Sequence, residues 1–141
     1  MTGACTMTQS ESRTATVEDI RRPRTLRMEW TSNASGVVTA TTSEARAGIV
    51  SGTVMRVTFK PGAATPSNGY DVTITDENGI DILVGQGANL SNAAASTVCP
   101  GVEFTDGTTT SLMQVAVFGV LTLNVANAGN AKQGIVELVI V

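Results

Sequence analysis

A chain of 141 residues that is 42% hydrophobic, 15% charged and 4% aromatic, with a formal net charge of -3, suits a single domain with a real core and is too apolar for global disorder. No apolar run is long enough for a membrane helix, and the acidic balance disfavours non-specific binding to nucleic acid or an anionic lipid surface. Histidine is absent, which removes the commonest general base and the commonest zinc ligand together.

Met1 to about Ser12 is polar and lacks apolar periodicity, so it reads as a flexible arm, with no apolar stretch to make a secretory signal. Thr14 to Ile20 alternates weakly and predicts a short edge strand. Arg21, Arg22, Arg24 and Arg27 then fall within seven residues around Pro23, which interrupts any regular ladder. Residues 1–24 thus read as an arm and basic linker, and 25–141 as a β-domain.

Within that domain, Leu26, Met28 and Trp30 alternate with Arg27, Glu29 and Thr31, the pattern of a half-buried strand. Ser32-Asn33-Ala34-Ser35-Gly36 predicts a turn, and Val37 to Thr42 a second extended run. Val54 to Lys60 alternates again and stops at Pro61-Gly62. Tyr70, Val72 and Ile74 alternate up to Asp76-Glu77-Asn78-Gly79, and Ile80, Ile82 and Val84 follow, which predicts a hairpin about the Asn-Gly step. Gly85 to Ser96 is a small, polar loop, and Thr97 to Val102 a weak strand broken by Pro100-Gly101. Met113 to Phe118 and Val120 to Ala126 are nearly continuous apolar runs meeting at Gly119, as for strands buried on both faces or bent at a bulge. After the turn from Asn127 to Gly134, Ile135 to Val141 closes the chain as a strand. About eight strands with regular turn signals predict an all-β, antiparallel sandwich, jelly-roll or immunoglobulin-like in outline, with Trp30 and Phe59 in its core.

Sites for chemistry are scarce. Aligning Gly79 on the sixth position of a calcium loop puts Ile74 first and Gly85 twelfth, so both anchoring carboxylates are missing. Asp71 and Asp81 are expected to face solvent across the hairpin rather than form a catalytic pair. Gly85-Gln86-Gly87 lacks the third glycine and the following helix of a dinucleotide site. Cys5 and Cys99 have no histidine to activate them and are too few for a zinc site; they read either as free thiols or as a disulfide within or between chains. No catalytic residue, metal or cofactor is expected. The arginine cluster, Arg21, Arg22, Arg24 and Arg27, is the charge concentration in the chain and the expected contact with an acidic partner surface.

Three segments carry a resemblance: Met28 to Gly36, Tyr70 to Asp81, and Leu121 to Gly134, the last including Asn-Ala-Gly-Asn-Ala-Lys-Gln-Gly. Over roughly Arg24 to Val141 the chain resembles a family of small tailed-bacteriophage virion proteins. The resemblance implies a β-rich, non-enzymatic particle component of the head decoration or cement kind. It also implies assembly in the host cytoplasm, the major capsid protein as partner, and homo-oligomers, with a trimer favoured; neither nucleic acid nor membrane is an expected partner. The rival expectations are a receptor- or carbohydrate-binding fibre module, for which Trp30 or Tyr70 would be the platform, and a head-to-tail or tail-tube subunit.

Overall fold

The structure, a computed structural model, describes residues 3–9, 23–42 and 48–141. Within these residues it is all β, and every strand pairing is antiparallel. The strands are β1 (Ala4–Gln9), β2 (Arg24–Thr31), β3 (Val38–Thr41), β4 (Val50–Pro61), β5 (Asp71–Thr75), β6 (Ser96–Val98), β7 (Gly101–Asp106), β8 (Thr109–Gln114), β9 (Ala116–Gly119), β10 (Thr122–Ala126) and β11 (Gln133–Ile140). The main sheet runs β1-β2-β11-β4-β6, with β9 also pairing with β4; a second sheet runs β3-β10-β5, and β7 and β8 form a separate hairpin. This order is specific neither to a jelly roll nor to an immunoglobulin-like sandwich. Among the described residues eleven strands replace the expected eight or so, chiefly because β1 and the β7–β8 hairpin carry too little apolar periodicity to be placed from sequence.

Alternation fixes the main sheet. Leu26, Met28 and Trp30 of β2 are buried, as are Val136, Leu138 and Ile140 of β11 and Val57 and Phe59 of β4. Their registers align in rows, for example Met7, Met28, Val136 and Phe59, so one face of the sheet is continuous apolar surface. The second sheet supplies the opposing layer through Val38, Ala40, Val72, Ile74, Leu123 and Val125, and all of these belong to one hydrophobic cluster. Trp30 is 2% exposed and Tyr70 1%, and their rings lie 5.8 Å apart and tilted. The expected core role of Trp30 and Phe59 is thus met.

The twelve-residue β4 pairs with three strands. Val50 to Thr53 pairs with β9, whereas Val57 to Phe59 lies between β6 and β11. The change of partner is made at Gly52, whose φ of +134° belongs to glycine, and at a bulge between Val54 and Arg56 opposite Val139 and Ile140. A side chain at Gly52 would meet Ile140 Cγ2 at 2.6 Å.

Three expectations need correction. Residues 4–9 are not an arm but strand β1, hydrogen-bonded along β2, with Met7 buried; its Cys5 and Met7 supply just enough period-two apolarity to cap the edge of the core. The predicted hairpin after Asn78-Gly79 forms its turn but not its second strand. Asp76 Oδ1 accepts the N–H groups of Asn78 and Ile80, both at 2.9 Å, and Thr75 bridges Asp81; beyond that the chain coils away. Ile82 and Leu83 are both buried, which breaks the alternation expected of a strand with one buried face. Asp81 instead accepts the N–H groups of Ile74, Leu83 and Gly85 at 3.3, 3.0 and 2.9 Å, local bonds that replace a ladder. Finally, Met113 is not buried in a two-sided strand: it is 60% exposed, on the hairpin β7–β8. The predicted edge strand at 14–20 lies outside the described residues.

Candidate interaction surface

Of the arginine cluster, Arg21 and Arg22 lie outside the described residues. Arg24 and Arg27 are not on a free linker but on β2, and both are engaged within the chain. Arg24 donates to the carbonyl of Ser51. Arg27 bonds Glu29, with Nη2 at 2.7 Å from Oε1, and Glu137, and Lys60 reaches Glu137 at 3.1 Å. These groups form a charged row across the outer face of β2, β11 and β4, as the registers Arg27 to Glu137 and Ile135 to Lys60 require. The hydrogen bond from Lys60, with help from Arg27, holds the Glu137 carboxyl below the ordinary glutamate range, whereas burial opposes it. The row braces the sheet.

Both cysteines are free thiols. Cys5 is half-buried beside Trp30 on β1, and Cys99 is exposed just after β6. β1 and β6 are the two ends of the main strand path, with β2, β11 and β4 between them, so no bridge forms within the chain. Burial pushes the Cys5 thiol up to about 11, which keeps it protonated at neutral pH.

Asp71 and Asp81 are structural. Asp81 holds the coil after β5, and Asp71 accepts from the Asn89 N–H at 2.9 Å and from Asn127 Nδ2 at 2.7 Å. Asn33 Oδ1 accepts from Ser35 and Val37, and the Ser32 hydroxyl donates to the Gly129 carbonyl at 2.5 Å while accepting from the Lys132 N–H at 2.9 Å. The segments around 28–36, 70–81 and 121–134 are therefore tied to one another through Trp30–Tyr70, Ser32–Lys132 and Asp71–Asn127. They tie the two sheets and their connecting turns together.

A groove of about 310 Å³ runs over the outer face of β1, β2 and β11 beside Thr6, Glu29, Thr31, Gln133 and Ile135. Its ionisable side chains are Glu29, which pairs with Arg27, and the half-buried Cys5. Among the described residues there is no group of three or more His, Cys, Asp or Glu that could hold a metal ion, and no helix is long and apolar enough to cross a membrane.

The feature that sequence reasoning missed is the β7–β8 hairpin. Gly107, with φ of +63°, is the first of two loop residues between Asp106 and Thr109, as a tight hairpin turn prefers. Every residue of β8 is exposed. Val102 and Met113 face each other across the hairpin, and Leu112, 74% exposed, sits on its other face. Next to it, the pairing of Ser51 with Phe118 places Ile49 and Phe118 as diagonal neighbours on the β4–β9 ribbon, exposed by 63% and 77%. Glu103 and Asp106 on the hairpin, and Arg56 at its root, have no ion-pair partner among the described residues. The Asp106-Gly107 step flanked by threonines was the sequence signal for this hairpin.

No family model, curated protein or solved structure matches the chain.

Proposed function

We propose that this chain is a non-enzymatic structural protein of a tailed-phage virion: an oligomeric decoration or cement subunit that binds the outer capsid surface through the major capsid protein and reinforces it. Its place is the particle surface, after assembly in the host cytoplasm. The observation that carries the reading is the β7–β8 hairpin. A two-stranded hairpin exposed on both faces is marginal in water by itself, and exposed apolar side chains grouped as Val102, Leu112, Met113 and Phe118 mark a surface that another protein covers. The resemblance of the segments around 28–36, 70–81 and 121–134 to small virion proteins supports the same class. On a symmetric shell many weak contacts act together, so no single contact need be strong.

The attachment contacts are reassigned. Of the arginine cluster expected to meet an acidic partner, Arg24 and Arg27 are engaged inside the chain, and β1 ahead of it belongs to the sheet. The hairpin and the ribbon beside it are the better candidates for the contacts that hold subunits on the particle, those between copies of this chain included. The sugar-binding alternative loses its platform, because Trp30 and Tyr70 are both in the core.

The test is the amount of this chain in purified particles. A copy number matching the shell lattice, and capsids that disrupt more easily without the protein, are expected. A handful of copies would move the chain to a connector or fibre, and its absence from particles would overturn the proposal.

A further inference from the structure

We infer that the β7–β8 hairpin docks on a second copy of this chain, seated against the exposed stripe of Ile49, Phe118 and Met55 on the β4–β9 ribbon. This inference deepens the virion reading by naming the contact between subunits, and it rests on that reading for its setting.

The hairpin and the stripe are complementary in chemistry. The hairpin offers apolar side chains with acidic ones: register places Val102, Met113 and Asp106 on one face, and Leu112 and Glu103 on the other. The stripe offers apolar side chains with a base. Residues 49, 51, 53 and 55 alternate onto the face that also carries Phe118 and Ala116, and the bulge turns both Met55 and Arg56 outward. Among the described residues Arg56 has no anionic partner, and the hairpin carries Glu103 and Asp106 but no cation of its own. Charge-assisted pairing of Arg56 with Glu103 or Asp106 would fix the register of the contact, and apolar burial would supply its strength.

The contact is not made within one subunit, where both surfaces are exposed. Hairpin and stripe are different patches, so the interface is head-to-tail, and a head-to-tail contact that closes gives a ring. A closed ring leaves no hairpin uncovered, which fits a chain that carries both halves in equal number.

Sedimentation of the full-length protein tests this. The wild type is expected to sediment as a closed oligomer. The double variant Leu112→Ser/Met113→Ser spoils the hairpin, and Ile49→Ser/Phe118→Ser spoils the stripe; each alone is expected to be a folded monomer, checked by its melting transition. Mixed, the two variants retain one good hairpin and one good stripe between them, and are expected to form a one-to-one dimer and nothing larger. Arg56→Glu, a change at an exposed site, is expected to weaken self-association by about tenfold or more, and it carries the test if a serine variant fails to fold. A monomeric wild type, unchanged assembly of the variants, or no dimer on mixing overturns the inference. A hairpin-dependent oligomer that is missing from particles overturns only the virion reading, whereas a monomer bound to particles overturns only this one.

Discussion

Gly134 has no side chain because the indole of Trp30 fills the space one would occupy. A Cβ there would collide with Cζ2 and lie 2.6 Å from Cε2, both on a ring held in the core. Gly134→Ala should therefore destabilise the fold, and Trp30→Ala should cost about 3–5 kcal/mol. Because the two residues touch, their effects should not add: in a Trp30→Phe background, whose ring is shorter, Gly134→Ala should cost measurably less in chemical denaturation. Glu137 gives a prediction in pH. Its carboxyl titrates lower in the folded chain than in the unfolded one, so its contribution is fully present above the ordinary glutamate range, about 4.3, and is lost as pH falls through the lower folded value. Glu137→Gln should flatten that acid limb of stability against pH, and an unchanged limb would remove the row from the account. For the thiols, a maleimide at neutral pH should label the exposed Cys99 faster than the half-buried Cys5, whose thiol burial pushes up to about 11.

At the scale of elements, the strands that follow strict alternation were legible beforehand: β2, β5, the second half of β4, and β11 all bury the side chains that period two assigns to them. The turn at 32–36 was legible too, since Asn33 makes the local bonds its residue type favours. What failed was decided by partners distant in sequence. Ile80 to Val84 has strand-like alternation, but Asp81 binds three backbone N–H groups, and along the outer edge of β5 only the Thr75–Asp81 bridge and a few single bonds form in place of a ladder. Asp81→Ala should cost about 2 kcal/mol, the scale of hydrogen bonds to a charged acceptor, read as a lower unfolding midpoint. β1 was misread because six residues with two apolar side chains carry little periodic signal. Deleting residues 1–9 should lower stability by uncovering β2 and the core side of Met28, whereas a chain with a free arm would melt unchanged.

For the whole molecule, the candidate surface was the least legible part. Arg24 and Arg27 drew attention as a charge cluster, yet the fold turns both toward carbonyl and carboxylate partners brought from residues far along the chain. Met113 to Phe118 reads as buried on hydrophobicity alone, yet the fold leaves most of it outside, because β4 has room for β9 only up to Thr53 and the preceding residues pair with β7. In the isolated subunit the β7–β8 amides should exchange with deuterium faster than those of β2 and β11, and assembly should slow them; equal protection in the free chain would show that the hairpin needs no cover. The sequence by itself determined the β class, the turn chemistry and the apolar face of each well-patterned strand, because these depend on neighbours one to four residues apart. Only the tertiary structure decided which strands are edges, which charges are satisfied and which apolar residues are left exposed, because each of those depends on what a different part of the chain brings alongside.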